Sequence, residues 1–210
     1  MPNRPPKTTN PIQRVALLLL VAMNLLWPQS SAAQQQAYAK ADPEGFQQLQ
    51  TRIATLNVNG IPMTDYHLAK AQAWLEFSKE EYFDNDRSGI VESTFAEALG
   101  LIEQLEAGVM TPLSMSTPLL EGEARLDLTS WQVVEELKVQ KLSCAGNLIA
   151  RLEVQLVHVE HELHELGPIH AVPYRQAVQR MVEEIKAVDC QPPGQKNAVP
   201  LQENSSEAKP

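Results

Sequence analysis

The stretch CAGNLIARLEVQLVHVEHELHEL, residues 144–166, decides the architecture. Leu148, Leu152, Leu156, Val159, Leu163 and Leu166 recur at steps of 4, 4, 3, 4 and 3, which is one face of an α-helix. Ala150, Val154 and Val157 form a second, narrower stripe. At about 100° per residue the two stripes lie well over 100° apart. A helix apolar on two sides is flanked on two sides. The spacing therefore places this helix in the middle of a bundle.

The neighbours follow from the same periodicity. Gly167 and Pro168 end the helix, and Pro173 opens another carrying Tyr174, Ala177, Val178, Met181, Val182, Ile185 and Val188. Upstream, Thr129 or Ser130 caps a helix with Trp131, Val134, Leu137 and Leu142. Residues 65–83 contain no Gly or Pro; Leu68, Ala71, Leu75 and Tyr82 share a face, with Trp74 and Phe77 beside it and Thr64 as the expected cap. After a turn at residues 84–89, a helix from Ile90 to Glu106 presents Val91, Phe95, Ala98, Leu99, Ile102 and Leu105, and Gly108 ends it. Asp42 before Pro43 starts a shorter helix with Phe46, Leu49, Ile53 and Leu56. The expected fold is all-α: a helical bundle of two antiparallel αα-hairpins, loosely tetratricopeptide-like, plus one or two additional helices. Residues 73–77 and 95–99 echo residues 150–154 and 174–178 at offsets of 77 and 79. That fits either a duplicated hairpin or a chance likeness between amphipathic helices.

The start of the chain sets the compartment. Arg4, Lys7 and Arg14 precede an apolar run from Val15 to Trp27, broken by Asn24, and then Ser31-Ala32-Ala33. This is the pattern of a secretory signal, with cleavage after Ala33. The run of 13 residues is short of the roughly 20 that span a bilayer. The alternative is a retained anchor. The expected organisation is a signal peptide at 1–33, a lead-in and short helix at 34–60, a helical domain at 61–190 and a disordered tail at 191–210. Removing the leader's three basic residues from 17 leaves 14 against 26 acidic ones, a net of −12. Such a surface opposes nucleic acid and anionic lipid. Cys144 and Cys190 are an even pair in an exported chain and read first as a disulfide. Two separate thiols are the alternative. A zinc site is weaker still, because neither lies in a C-x-x-C pair.

In this order, YHLAKAQAWL at 66–75, NDRSG at 85–89, EVQLVH at 153–158 and HAVPY at 170–174 resemble the helical N-terminal region of proteobacterial OmpA-family envelope proteins. The resemblance covers about residues 61–190. It implies a periplasmic or outer-membrane-associated protein of a Gram-negative envelope, with an envelope protein as partner. In that family an OmpA-like peptidoglycan-binding domain follows. Here 20 residues follow Cys190, so peptidoglycan contact does not carry over. The resemblance transfers no catalytic residue.

Three places are candidates for function. Asp84, Asp86 and Ser88 occupy positions 1, 3 and 5 of a calcium-loop pattern, with Gly89 at the turn. Position 12 is Phe95 rather than Glu, so a tight interhelical turn is the plainer reading. His158, His161 and His164 lie three apart amid Glu160, Glu162 and Glu165. Steps of three drift by about 60° around a helix, so all three cannot share one metal. The H-E-x-x-H pattern is absent, and partly exposed helix positions are the plainer reading. Residues 108–127 lack helical periodicity, yet Leu113, Met115, Leu119 and Leu120 are apolar. They suggest an ordered crossover that also contacts a partner. No catalytic triad or phosphate loop appears, and no cofactor is expected. The sequence points to a non-enzymatic binding or scaffold protein. A metal-binding protein built on the histidine-rich helix is the alternative.

Overall fold

The computed structural model describes residues 40–108, 113–120 and 124–190. The residues expected to form a signal peptide and a disordered tail, the first part of the lead-in and parts of the crossover lie outside them. Five helices and no strand occur among the described residues: α1 (Pro43–Val58), α2 (Tyr66–Phe83), α3 (Ile90–Glu106), α4 (Leu128–Glu165) and α5 (Val172–Ala187). The fold is an all-α bundle, as the periodicity predicts. No described helix is long and apolar enough to cross a membrane.

α2–α3 and α4–α5 are the two hairpins, α2 packs on α4, and α1 lies against α2 and α3. Both stripes of the helix at 144–165 are used. Leu152, Leu156 and Val159 are buried on one side and Ala150, Val154 and Val157 on the other, while Leu166 is exposed. The core joins them to Trp74, Leu75, Phe95, Ile102, Trp131 and Ile185.

Aspartates cap the starts of α1, α2 and α4. Asp42 Oδ1 accepts from Gly45 N at 2.9 Å, with Pro43 in the first turn. Gly45 is obligatory, since a Cβ there would stand 2.0 Å from the Lys40 carbonyl oxygen. Asp65, not Thr64, caps α2, accepting from His67 N and Leu68 N at 2.9 Å each. Asp127, not Thr129 or Ser130, caps α4, accepting from Ser130 N at 3.3 Å. Asp65 lies one residue after the expected cap and Asp127 two or three before it; in each case a carboxylate accepts from the first free backbone N–H groups in place of the hydroxyl. The helices expected at 129–142 and 144–166 form one element bent at Ala145, where φ −133° and ψ 25° leave the helical region. The upstream piece is thus the first arm of a kinked helix rather than a separate one.

The described crossover, residues 113–120, has no regular secondary structure and packs on the bundle. Met115, Leu119 and Leu120 are half-buried against the core, Leu113 is half-buried and Thr117 is buried. Beneath the segment, Lys138 Nζ donates to Met115 O at 2.8 Å and Lys70 Nζ to Ser116 O at 2.9 Å. The Tyr66 hydroxyl donates to Met115 O at 3.1 Å. The apolar side chains thus face this molecule's own core, and the partner-contact role expected of them is not carried further. Leu119→Ser and Leu120→Ser are expected to lower stability by about 1–2 kcal/mol each, because each withdraws half-buried apolar surface. Urea unfolding checks this; unchanged midpoints would return the leucines to a contact role.

Candidate metal centre

At the C-terminal ends of α2 and α4, polar residues occupy positions where the core spacing calls for apolar ones. Glu81 follows Phe77 by one helical turn and is buried, as are His158, His161 and Glu162 on α4. The histidines are therefore core residues, not partly exposed ones. Tyr174 of α5 covers them: the His158 ring lies between Phe77, 4.1 Å between centroids, and Tyr174, 4.0 Å.

The ligand atoms converge. His158 Nε2 stands 2.8 Å from Glu81 Oε1 and 3.7 Å from Glu162 Oε1. His161 Nε2 stands 3.5 Å from Asp86 Oδ2 and 3.0 Å from Glu165 Oε2. Asp86 arrives from the interhelical turn. Its other oxygen, Oδ1, accepts from Ser88 N and Ser88 Oγ, both at 2.6 Å, which fixes the carboxylate's orientation. The turn itself uses positive φ at Asn85, 61°, and Gly89, 92°.

The turn and the histidine helix thus contribute to one place instead of two. Asp86 joins His161. Ser88 is committed to Asp86, and Asp84, at the C-cap of α2, borders the same cleft. His164 is elsewhere, its Nε2 accepting from Ala124 N at 3.2 Å. Glu160 is also committed elsewhere: it accepts from Trp131 Nε1 at 2.9 Å and from Leu126 N at 2.8 Å, holding the start of α4. Glu81, Glu162 and Glu165 complete the site and were not singled out by their spacing. Their signal was a pair of acids one turn apart on α4 facing a lone acid at a core position of α2.

Two sets of three ligand atoms lie within 4.8 Å of one another: Glu81, His158 and Glu162, and Glu81, Asp86 and His161. They open on a cleft of about 600 Å³ lined by Glu81, Asp86, Glu162, Glu165, His170 and Tyr174 among others. Burial works to lower the His158 imidazole, but Glu162 and Glu81 outweigh it and hold its pKa above the ordinary histidine value. Burial, then the neighbouring Asp86 carboxylate, raises Glu165. Against the opposing effect of burial, Ser88 holds Asp86 below the usual range. Although His158 Nε2 and Glu81 Oε1 are close, no aligned hydrogen bond joins them. Imidazole nitrogen and carboxylate oxygen so arranged are donors for a common cation.

Comparison of the chain with protein-family models, curated proteins and solved structures returns no match. The reading of this site therefore stands on its geometry.

Proposed function

We propose that this protein is an exported, non-enzymatic helical binding protein that holds a divalent transition-metal ion between the ends of α2 and α4. The observation that carries the reading is the convergence of buried His158, Glu81 and Glu162 from two packed helices. A mixed imidazole–carboxylate set favours zinc, manganese or iron over calcium and magnesium, which prefer oxygen alone. The cleft is strongly acidic, which draws a cation inward. Its lining supplies ligands rather than a nucleophile beside a base, which supports binding over catalysis. The basic leader, the resemblance to OmpA-family envelope proteins and the Cys144–Cys190 pair support a periplasmic or outer-membrane-associated site of action, where an envelope protein is the partner.

The test is thermal unfolding of chelator-stripped protein, purified without a histidine tag, with and without Zn²⁺. At a free ion concentration about 100-fold above Kd, binding contributes about 2.7 kcal/mol. For a domain of this size that raises Tm by roughly 5–10 °C. Mg²⁺ and Ca²⁺ at the same concentration are expected to do little, and His158→Gln is expected to reduce the zinc effect. A wild-type Tm indifferent to Zn²⁺, Mn²⁺ and Fe²⁺ alike would end this reading.

A further inference from the structure

We infer that the centre takes two divalent ions, with the Glu81 carboxylate shared between them. The inference rests on the metal-binding reading above and extends it from one ion to a pair.

The ligand atoms divide into two sets that meet only at Glu81. His158 belongs to one and His161 to the other; no described set contains both imidazoles. A single ion holds its nitrogen and oxygen donors at about 2.0–2.2 Å, hence mutually within roughly 4.4 Å. Each set lies within 4.8 Å, close to that span, and the union of the two does not. A carboxylate has two oxygens and is able to serve one ion with each, as in the carboxylate-bridged pairs built inside helical bundles.

Charge gives an independent argument. Among the ligand-set carboxylates, Glu81, Asp86 and Glu162, with the exposed Glu165 beside His161, bring four negative charges against two imidazoles, while the exposed Glu80 stands 3.9 Å from His158 Nδ1 on the solvent side. Protonating both imidazoles leaves a formal −2, in a site where Glu81, Glu162, His158 and His161 are all buried. One divalent ion on neutral imidazoles also leaves −2. Two divalent ions balance it, and buried charge is costly when unbalanced. The supports are laid out for both halves. Ser88 fixes Asp86 from behind. Phe77 and Tyr174 fix the plane of His158. Second-shell fixing of this kind orients metal ligands.

The experiment is zinc stoichiometry and affinity on the full exported chain, by isothermal titration and by elemental analysis after desalting. Wild type is expected to hold two ions per chain. His158→Gln and His161→Gln are each expected to hold one. Glu81→Gln, which keeps the side chain's shape, is expected to weaken both ions by at least about tenfold. His164→Gln, outside the site, is expected to keep two. One ion in wild type overturns the pair and leaves the metal-binding reading standing; none overturns both. Two ions with Glu81→Gln weakening only one of them overturn the sharing. If Glu81→Gln fails to fold by far-UV circular dichroism, the histidine variants decide. One ion in each upholds the pair, and loss of both in either overturns it.

Discussion

Replacing Glu153 with Gln is expected to cost about 3–5 kcal/mol of stability. Glu153 is buried, and two ammonium groups meet on it: Lys70 Nζ at 3.2 Å and Lys138 Nζ at 2.6 Å. The Tyr66 hydroxyl donates to the same carboxylate. Burial and the Glu153 charge push that hydroxyl's pKa far up, so it stays a donor. Burial also lowers the Lys70 ammonium, against the opposing pull of Glu153. Removing the carboxylate leaves two cations facing each other, with only the exposed Glu135, 4.0 Å from Lys138 Nζ, as a weak counter-charge. Lys70→Met should cost less, because Glu153 keeps Lys138 and Tyr66. The double variant, Lys70→Met with Glu153→Gln, should recover part of the loss. The order of the three is what urea unfolding tests; in Tm, Glu153→Gln should fall by roughly 6–20 °C. If Lys70→Met proves the more damaging, Glu153 is not the hub. The same network holds Met115 and Ser116, so Glu153→Gln should also speed proteolysis within residues 113–120.

These charges mark where the sequence stopped being readable. The bundle was legible because buried Leu, Val and Ile repeat at helical spacing, and the repeat survives one exception. Lys70 and Glu153 are such exceptions. Lys70 lies one turn from both Tyr66 and Trp74, on a core face, and Glu153 stands between the two stripes of α4. A single charge at a core position looks like surface until its partner on another helix is known. Glu81 was hidden in the same way beside Glu80. His158 and His161 were noticed but placed too far outward, because the cover comes from Tyr174 on a helix whose approach no local pattern specifies. Asp86 was drawn into a calcium-loop pattern, whereas the fold turns one oxygen back to Ser88 and the other toward His161. The kink at Ala145 had no proline to announce it; the next residue is Gly146, where a Cβ would stand in ordinary contact with Tyr66, 3.5 Å away.

Removing the Cys144–Cys190 bridge is expected to cost about 4 kcal/mol, the chain-entropy value for a loop of this length. The structure joins the two cysteines across 46 positions, with Cα atoms 5.6 Å apart. Cys144 lies beside the kink in α4, and Cys190 follows α5, which runs back along that helix. The bridge therefore ties the far end of the α4–α5 hairpin, opposite the proposed metal centre near Gly167. Lys141 secures the same corner, its Nζ donating to Val188 O at 2.5 Å and Lys186 O at 3.0 Å. With both cysteines changed to Ser, Tm should fall by roughly 8–16 °C. A thiol reductant should produce the same fall in wild type and none in the double variant. Because α5 carries Tyr174 over His158, loosening this corner should weaken zinc binding as well, although neither cysteine touches the ion. A wild-type Tm unmoved by reductant would mean that the bridge is not formed or bears no load. The case for an oxidising compartment would then rest on the leader and the family resemblance.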